Sequence, residues 1–356
     1  MHPFRTRSGR GSRPSVAAGL LVLLTTLAAI KRTGWSRRRS VPRQGLLRLG
    51  AVVLGGAALL VAAPSSVAAG GTENGSSTCR PNADGTSTRP TTRPGVQVLH
   101  NYQFSFATEV SNAISVNKEK LIPLLPEGYS PVPASALGVG GENDGVVAIV
   151  NICDENLSID GAPSRRTTLV QDVGILVREP ADAAAAGLDI PGAFHIYLLA
   201  LYTDNRPYAE SLRSGDIPVQ FVPNITHDRR IDEAGVGEQT VRVPARDNPY
   251  YSLNKATGFG ATGEVAAILW HEGDKGTAAL NFRFDVAQQG SAQSEVFTKP
   301  GTKLNRLLAG GGAGPGPTDP KTGFASIRTP SLTFQYSQGG NGSLILIKKP
   351  CDSRPK

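Results

Sequence analysis

Apolar and polar positions alternate with a period of two over Val96–Phe106 and place Val96, Val98, Tyr102, Phe104 and Phe106 on one face of an opening strand. Lys118–Leu125 then predicts a short helix, stopped by Pro126 and Gly128. Two nearly continuous apolar runs follow, Gly145–Cys153 and Thr167–Val177, the second interrupted only by Gln171 and Asp172. Ala181–Gly187 is a connector with helical tendency. The chain is organised around Phe194–Pro223, which reads as a buried strand over Phe194–Tyr202, a capped helix and a new extended run from Val219 to Val222. Asp204 or Asn205 can cap that helix, Pro207 suits its first turn, and Gly215 is expected to take a left-handed stop.

Beyond it, Asn224–Gly237 is polar and predicts a loop. Strands are expected at Gln239–Val243, Gly263–His271, Thr277–Ala287, Ala325–Tyr336 and Ser343–Ile347, with Leu280, Phe282 and Phe284 sharing one face. Gly310–Pro317 predicts an exposed loop. The order lacks both an internal repeat and the strand–helix alternation of a doubly wound sheet. It predicts one mainly β (α+β) domain over residues 96–350, an antiparallel barrel or double sheet with a few short helices.

Charge divides the chain unevenly. Residues 1–69 hold eleven Lys/Arg and no Asp/Glu, so 26 of the 37 basic residues remain against all 29 acidic ones, a net of −3 for the rest. No basic excess is left on the folded part for a nucleic-acid footprint. The N-terminal 69 residues contain two apolar stretches, Val16–Ile30 and Leu46–Ala63. Arg37, Arg38, Arg39 and Arg43 precede the second, and Ser66–Ala69 offers small residues for cleavage, the order of an export signal. A two-helix membrane anchor is the alternative, and Val16–Ile30 also fits an overlong start. Membrane contact is expected only through this segment, and residues 70–95 form a Gly/Ser/Thr/Pro-rich linker. In an exported domain Cys153 and Cys351 are the pair expected to bridge, leaving Cys79 over.

Familiar catalytic patterns are missing. His100, His195, His227 and His271 are scattered, and His271-Glu272 lacks the second histidine of a helical zinc site. No metal or cofactor is expected. There is no G-x-S-x-G elbow. Asp154-Glu155 would raise rather than lower the thiol pKa of Cys153. The Gly-rich runs Leu137–Gly145 and Gly310–Pro317 lack the setting of a phosphate loop.

Three phrases in order carry a resemblance: Asn101–Val110 with its following helix, Leu124–Tyr129 (LLPEGY), and Tyr202-Thr203-Asp204-Asn205-Arg206-Pro207 before the central helix. In this order the chain resembles the acetoacetate decarboxylase superfamily over about Asn101–Thr226. The resemblance implies a β fold around a small-molecule pocket, in which one of two adjacent lysines after a proline forms a Schiff base with a β-keto acid. Laid on this chain, that proline falls at Pro218 and the lysines at Val219 and Gln220, neither of which can form an imine. The pocket carboxylates fall near Ala148 and near Val170–Gln171.

Asn151, Gln171, Asp172, Gln220 and His227 therefore remain as candidates to decorate an apolar interior. Equally, they could point outward and leave the barrel filled. The expected activity is an exported protein that binds or transforms a small apolar or oxo-acid metabolite without Schiff-base chemistry. A non-enzymatic carrier or cell-surface module is the alternative, and a true decarboxylase using a displaced lysine, Lys255, the third. Its neighbours Asn254 and Thr257 predict a turn at Lys255.

Overall fold

The computed structural model describes residues 95–164, 166–231, 237–260, 263–309 and 316–348. Both N-terminal apolar stretches, Cys79, Cys351 and most of the Gly310–Pro317 loop lie outside the described residues. Among the described residues no helix is long and apolar enough to cross a membrane.

The chain is mostly β. In order it forms β1 (Gly95–Phe104), β2 (Ala107–Asn117), α1 (Lys118–Leu121), β3 (Asp144–Asp154), the two-residue strands β4 (Ser158–Ile159) and β5 (Ala162–Pro163), and β6 (Thr168–Val177). α2 (Asp182–Ala186), β7 (Phe194–Thr203), α3 (Arg206–Ser214), β8 (Val219–Phe221), β9 (Thr226–Ile231) and β10 (Gly237–Val243) follow. The remainder is β11 (Tyr250–Gly260), β12 (Glu264–Gly273), β13 (Gly276–Thr298), α4 (Lys303–Leu308) and β14 (Ala325–Lys348).

The ladders run in a cycle, β14–β2–β3–β6–β7–β12–β13 and back to β14. β13 and β14 make this possible by their length of 23 and 24 residues. The first half of β13 pairs with β12 and the second with β11, while β14 pairs with β13 along one edge and with β2 and then β1 along the other. Register shifts between Asp285 and Ala292 let the pair bend from one set of neighbours to the next. The expected break after Ala287 reflects the polar residues at this bend, and the two closing strands are in fact one.

Pairing is antiparallel except around β7. Its second edge is shared by β12 and β8, both parallel to it; β8 is parallel because α3 carries the chain back to the same end before it begins. Asn205 caps α3 by accepting from the backbone N–H of Tyr208 at 3.1 Å, and Pro207 sits in the first turn. Gly215 does not supply the left-handed stop, since its φ is −99°. Asp216 does, at φ 61°, with its carboxylate tied to the Lys275 N–H and ammonium at 3.0 Å each.

Other expectations are also corrected. Phe106 leaves the β1 face: it lies in the bend before β2 at φ 66° and is exposed. Val96 and Val98 are exposed as well, on the far side of a register shift between Val98 and His100. The predicted loop Asn224–Gly237 contains β9, a charged strand at the sheet edge, where charge blunts unwanted pairing. The supposed turn at Asn254–Thr257 lies within β11, and Lys255 points to solvent beside Glu238 (3.6 Å). Cys153 is a free thiol; its expected partner Cys351 lies outside the described residues.

Two buried clusters occupy the two faces of β3 and β6. One contains Ala148, Val150, Ile152 and Val170 with Tyr208, Leu212, Phe282, Phe284 and Leu344. The other contains Val147, Ile149, Leu169, Val173 and Ile175 with Tyr202, Val241, Val243, Tyr250 and Trp270. β6 is buried at every position, so both faces are covered. At Gly174 a Cβ would come within 2.4 Å of Ile196 and 2.7 Å of the Tyr197 carbonyl oxygen, so glycine is needed where β6 bulges against β7.

Candidate functional site

Strand register brings three of the five candidate residues into one lateral row. Asn151 on β3 pairs with Gln171 on β6, Gln171 with Tyr202 on β7, and Tyr202 with Gln220 on β8. Paired residues share a face, so Asn151, Gln171 and Gln220 point to the same side. Asn151 and Gln171 are fully buried and Gln220 half-buried. Asp172, next in the chain to Gln171, is on the other face and does not join them.

One step along the same face, Cys153 pairs with Leu169. These two residues form part of the lining of a cleft of about 530 Å³, with Glu155, Asp204, His227 and Arg229 around it. His227 and Arg229 come from β9, where they pair with Val241 and Gln239 of β10. Alternation in β10 buries Gln239, Val241 and Val243, which places His227 and Arg229 on the inward face too. The cleft thus lies between the ends of β3 and β6 on one side and β9 on the other. Asn151, Gln171 and Gln239 sit one strand step behind its lining.

The polar groups here are unevenly satisfied. Asn151 Oδ1 accepts from the Tyr250 hydroxyl at 3.1 Å, but its Nδ2 has no protein partner. Both amide atoms of Gln171 are buried without a hydrogen bond from the protein, and Gln239 and the His227 ring, equally buried, meet only each other and form no well-made bond. Next to them, Asn254 shows the ordinary arrangement. Its Nδ2 donates to Ser252 Oγ at 3.2 Å, and its Oδ1 accepts from Ser294. Arg229 spans the mouth: it donates to Glu155 at 2.7 Å and to the hydroxyl of the buried Thr108, which pairs with Cys153 across β2 and β3. Asp204 Oδ1 accepts the Leu169 N–H at 2.9 Å, and Arg166 donates to the Asp204 carbonyl.

Burial governs the titration of the site. It drives the His227 imidazole down to about 4, with the Arg229 charge in the same direction, so the ring is neutral at pH 7. Burial also pushes the Cys153 thiol up to about 11, against the opposing charge of Arg229, and the thiol stays protonated. Burial raises Asp204 as well. The lining therefore offers hydrogen bonds and shape rather than an activated nucleophile.

The opposite face is filled. Ala148, Val170 and Val219, at positions where the resemblance places pocket carboxylates and a lysine, pack with the cluster around Tyr208 of α3. The space left among Phe104, Ile152, Asp154, Asp172, Tyr208, Phe282 and Phe284 is only about 10 Å³. Two carboxyls are enclosed there. Burial raises Asp172 to about 8, with the Glu109 charge adding to it, and raises Asp154 to about 7 against hydrogen bonds from the backbone of Asn156 and Ser105. Among the described residues, no lysine is buried.

Gln239, Arg229, Thr108 and Tyr250 were not anticipated. Gln239 was legible, since in Gly237–Val243 it falls in the phase of the buried Val241 and Val243. Arg229 and Thr108 meet across 121 positions of sequence, which no local pattern reveals. The other histidines do not converge on His227: His195 accepts from Trp270 Nε1 at 3.1 Å, His271 lies by the Leu198 carbonyl, and His100 by Asp160.

No protein-family model matches the chain, and no curated protein matches it. Solved structures with a similar course include an acetoacetate decarboxylase-like enzyme from Sphingomonas wittichii RW1, at 11% identity and TM-score 0.42, over 71% of this chain and 94% of that one. The enduracididine biosynthesis enzyme MppR is similar at 10% identity and TM-score 0.42, over 80% and 100% of the respective chains. The acetoacetate decarboxylase of Legionella pneumophila is similar at 8% identity and TM-score 0.38, over 74% and 93%. At these values no residue role passes from those proteins to this one.

Proposed function

We propose that this chain is an exported protein that holds a small metabolite non-covalently in the cleft between β3, β6 and β9, without Schiff-base chemistry. One observation carries this reading. Buried amide and imidazole atoms on the two sides of the cleft, of Asn151 and Gln171 on one and of Gln239 and His227 on the other, are incompletely paired by the protein. Buried polar atoms are ordinarily paired, so a group of them beside an opening suits a molecule that enters and pairs them. The volume of about 530 Å³ suits a metabolite.

An imine requires an uncharged primary amine in a dry site. Val219 and Gln220 offer none, and no lysine lines the cleft. Borohydride reduction in the presence of acetoacetate should therefore leave the protein without an adduct, as read by intact-mass spectrometry. A stoichiometric adduct mapped to one lysine, with release of carbon dioxide, would overturn the reading in favour of a decarboxylase.

A further inference from the structure

The atoms left open on the cleft face select a class of ligand, an inference that rests on the binding reading above. Because Tyr250 occupies Asn151 Oδ1, the free atom of that side chain is the donor Nδ2. Gln171 presents a carbonyl and an NH₂ group, and Gln239 and the neutral His227 ring, which meet each other, keep further donors and an acceptor between them. The set is mixed in hydrogen-bond sense and carries no charge.

The charges nearby disfavour an anion. Arg229 is the guanidinium in the lining, and it is already engaged by Glu155 at 2.7 Å and by Thr108. Glu155 and Asp204 both line the cleft, and the two guanidiniums beside them are already engaged, Arg229 by Glu155 and Thr108 and Arg166 by the Asp204 carbonyl, so a carboxylate ligand would meet two carboxylates with the nearby cations committed. A wholly apolar ligand gains nothing from this wall, since it offers no partner to buried amide atoms that the fold leaves unpaired.

We infer that the cleft and the amide wall behind it take a neutral ligand bearing an amide, imide or lactam group, whose N–H and C=O pair with Gln171, Gln239 and Asn151. Selectivity of this kind comes from the site: a ligand that cannot make these bonds leaves the protein atoms unpaired. The oxo-acid implied by the sequence resemblance is the class that the cleft excludes.

The test uses the purified full chain and three small probes: succinimide, cyclopentanone and acetoacetate. Cyclopentanone keeps the five-membered ring and one carbonyl but lacks the N–H, while acetoacetate carries the charge. Saturation-transfer NMR and titration of the His227 ring signals should give succinimide the tightest binding, by about tenfold or more over either competitor. Gln171→Leu should weaken succinimide by about tenfold and leave cyclopentanone little changed. Should that variant not fold, Gln239→Leu on the other wall makes the same comparison. Acetoacetate binding more tightly than succinimide at His227 would overturn the inference and leave the binding reading standing. If no probe shifts His227, and a crystal structure shows only ordered waters joining Asn151, Gln171 and Gln239, both fall.

Discussion

The two faces of β3 and β6 are built from interleaved residues of the same strands, yet one is filled and the other opens. Toward α3, Ala148, Val150, Ile152 and Val170 close against Tyr208, Phe282 and Phe284 and leave about 10 Å³. Toward β9, Asn151, Cys153, Leu169 and Gln171 border a cleft of about 530 Å³ or lie just behind it. Each face encloses polar groups that burial holds neutral at some pH, but they differ in kind. The filled face traps carboxyls, and the open face presents amides and an imidazole. A strand buried on both sides can thus serve stability on one and recognition on the other.

The largest expected effect lies on the filled face. Phe282 is 4% exposed and stacks edge-on with Phe104 at 5.5 Å. Phe282→Ala should cost about 3–5 kcal/mol in denaturant unfolding, from lost burial and the cavity it opens. Ligand binding in the cleft, on the other side of the sheet, should hardly move while the variant is folded. Loss of binding at full folding would show that the two faces are not independent.

The second prediction sets the faces against each other through pH. Asp172 and Asp154 have folded pKa values of about 8 and about 7, above an unfolded value of about 3.9. The native state therefore holds protons that the unfolded chain has released, and stability falls as pH rises from about 4 to about 8. His227 works the other way: its folded value of about 4 lies below 6.5, so its contribution is present above 6.5 and lost as pH falls toward 4. Between about pH 6.5 and 8 the carboxyls act alone, and urea midpoints should drop, by on the order of a few kcal/mol in total. Asp172→Asn should flatten that fall, whereas His227→Gln should change only the acid limb, below 6.5. The same slope above pH 6.5 in wild type and Asp172→Asn would place Asp172 in a wetter setting than this packing gives it.

How much of this was legible follows from which cues are local. β3, β6, β7, α1 and α3 announce themselves by apolar period, cap and proline, and their bounds lie within a few residues of expectation. The candidates Asn151, Gln171 and Gln220 stood out as polar residues in apolar runs, and register places them in one row. Asp172 stood out equally, but alternation only separates neighbours and does not say which side is open. β9 was hidden because Thr-His-Asp-Arg-Arg-Ile is polar, as an edge strand is free to be. β11 was hidden by Asn254, a turn-forming residue whose amide is instead satisfied by Ser252 and Ser294 from within the sheet. Tyr250 and Arg229 reach the site from strands distant in sequence.

The smallest effect on stability sharpens the comparison most. The Arg229–Glu155 pair is 2.7 Å long with both side chains over a third exposed, so water and salt screen it, and Glu155→Gln should cost under about 1 kcal/mol. Its effect on the cleft should be larger than its effect on folding. With Glu155 neutral, one of the carboxylates facing a ligand is gone, and Arg229 keeps Thr108 but loses its counter-charge. Acetoacetate should then bind several-fold more tightly than it binds the wild type, succinimide should change little, and the gain should shrink as salt is added. On the filled face, Asp172→Asn should leave acetoacetate affinity where it was. An equal gain on removing an exposed carboxylate outside the cleft lining, as in Glu264→Gln, would mean that net charge, rather than the engagement of Arg229 at the cleft mouth, decides which ligand the open face admits.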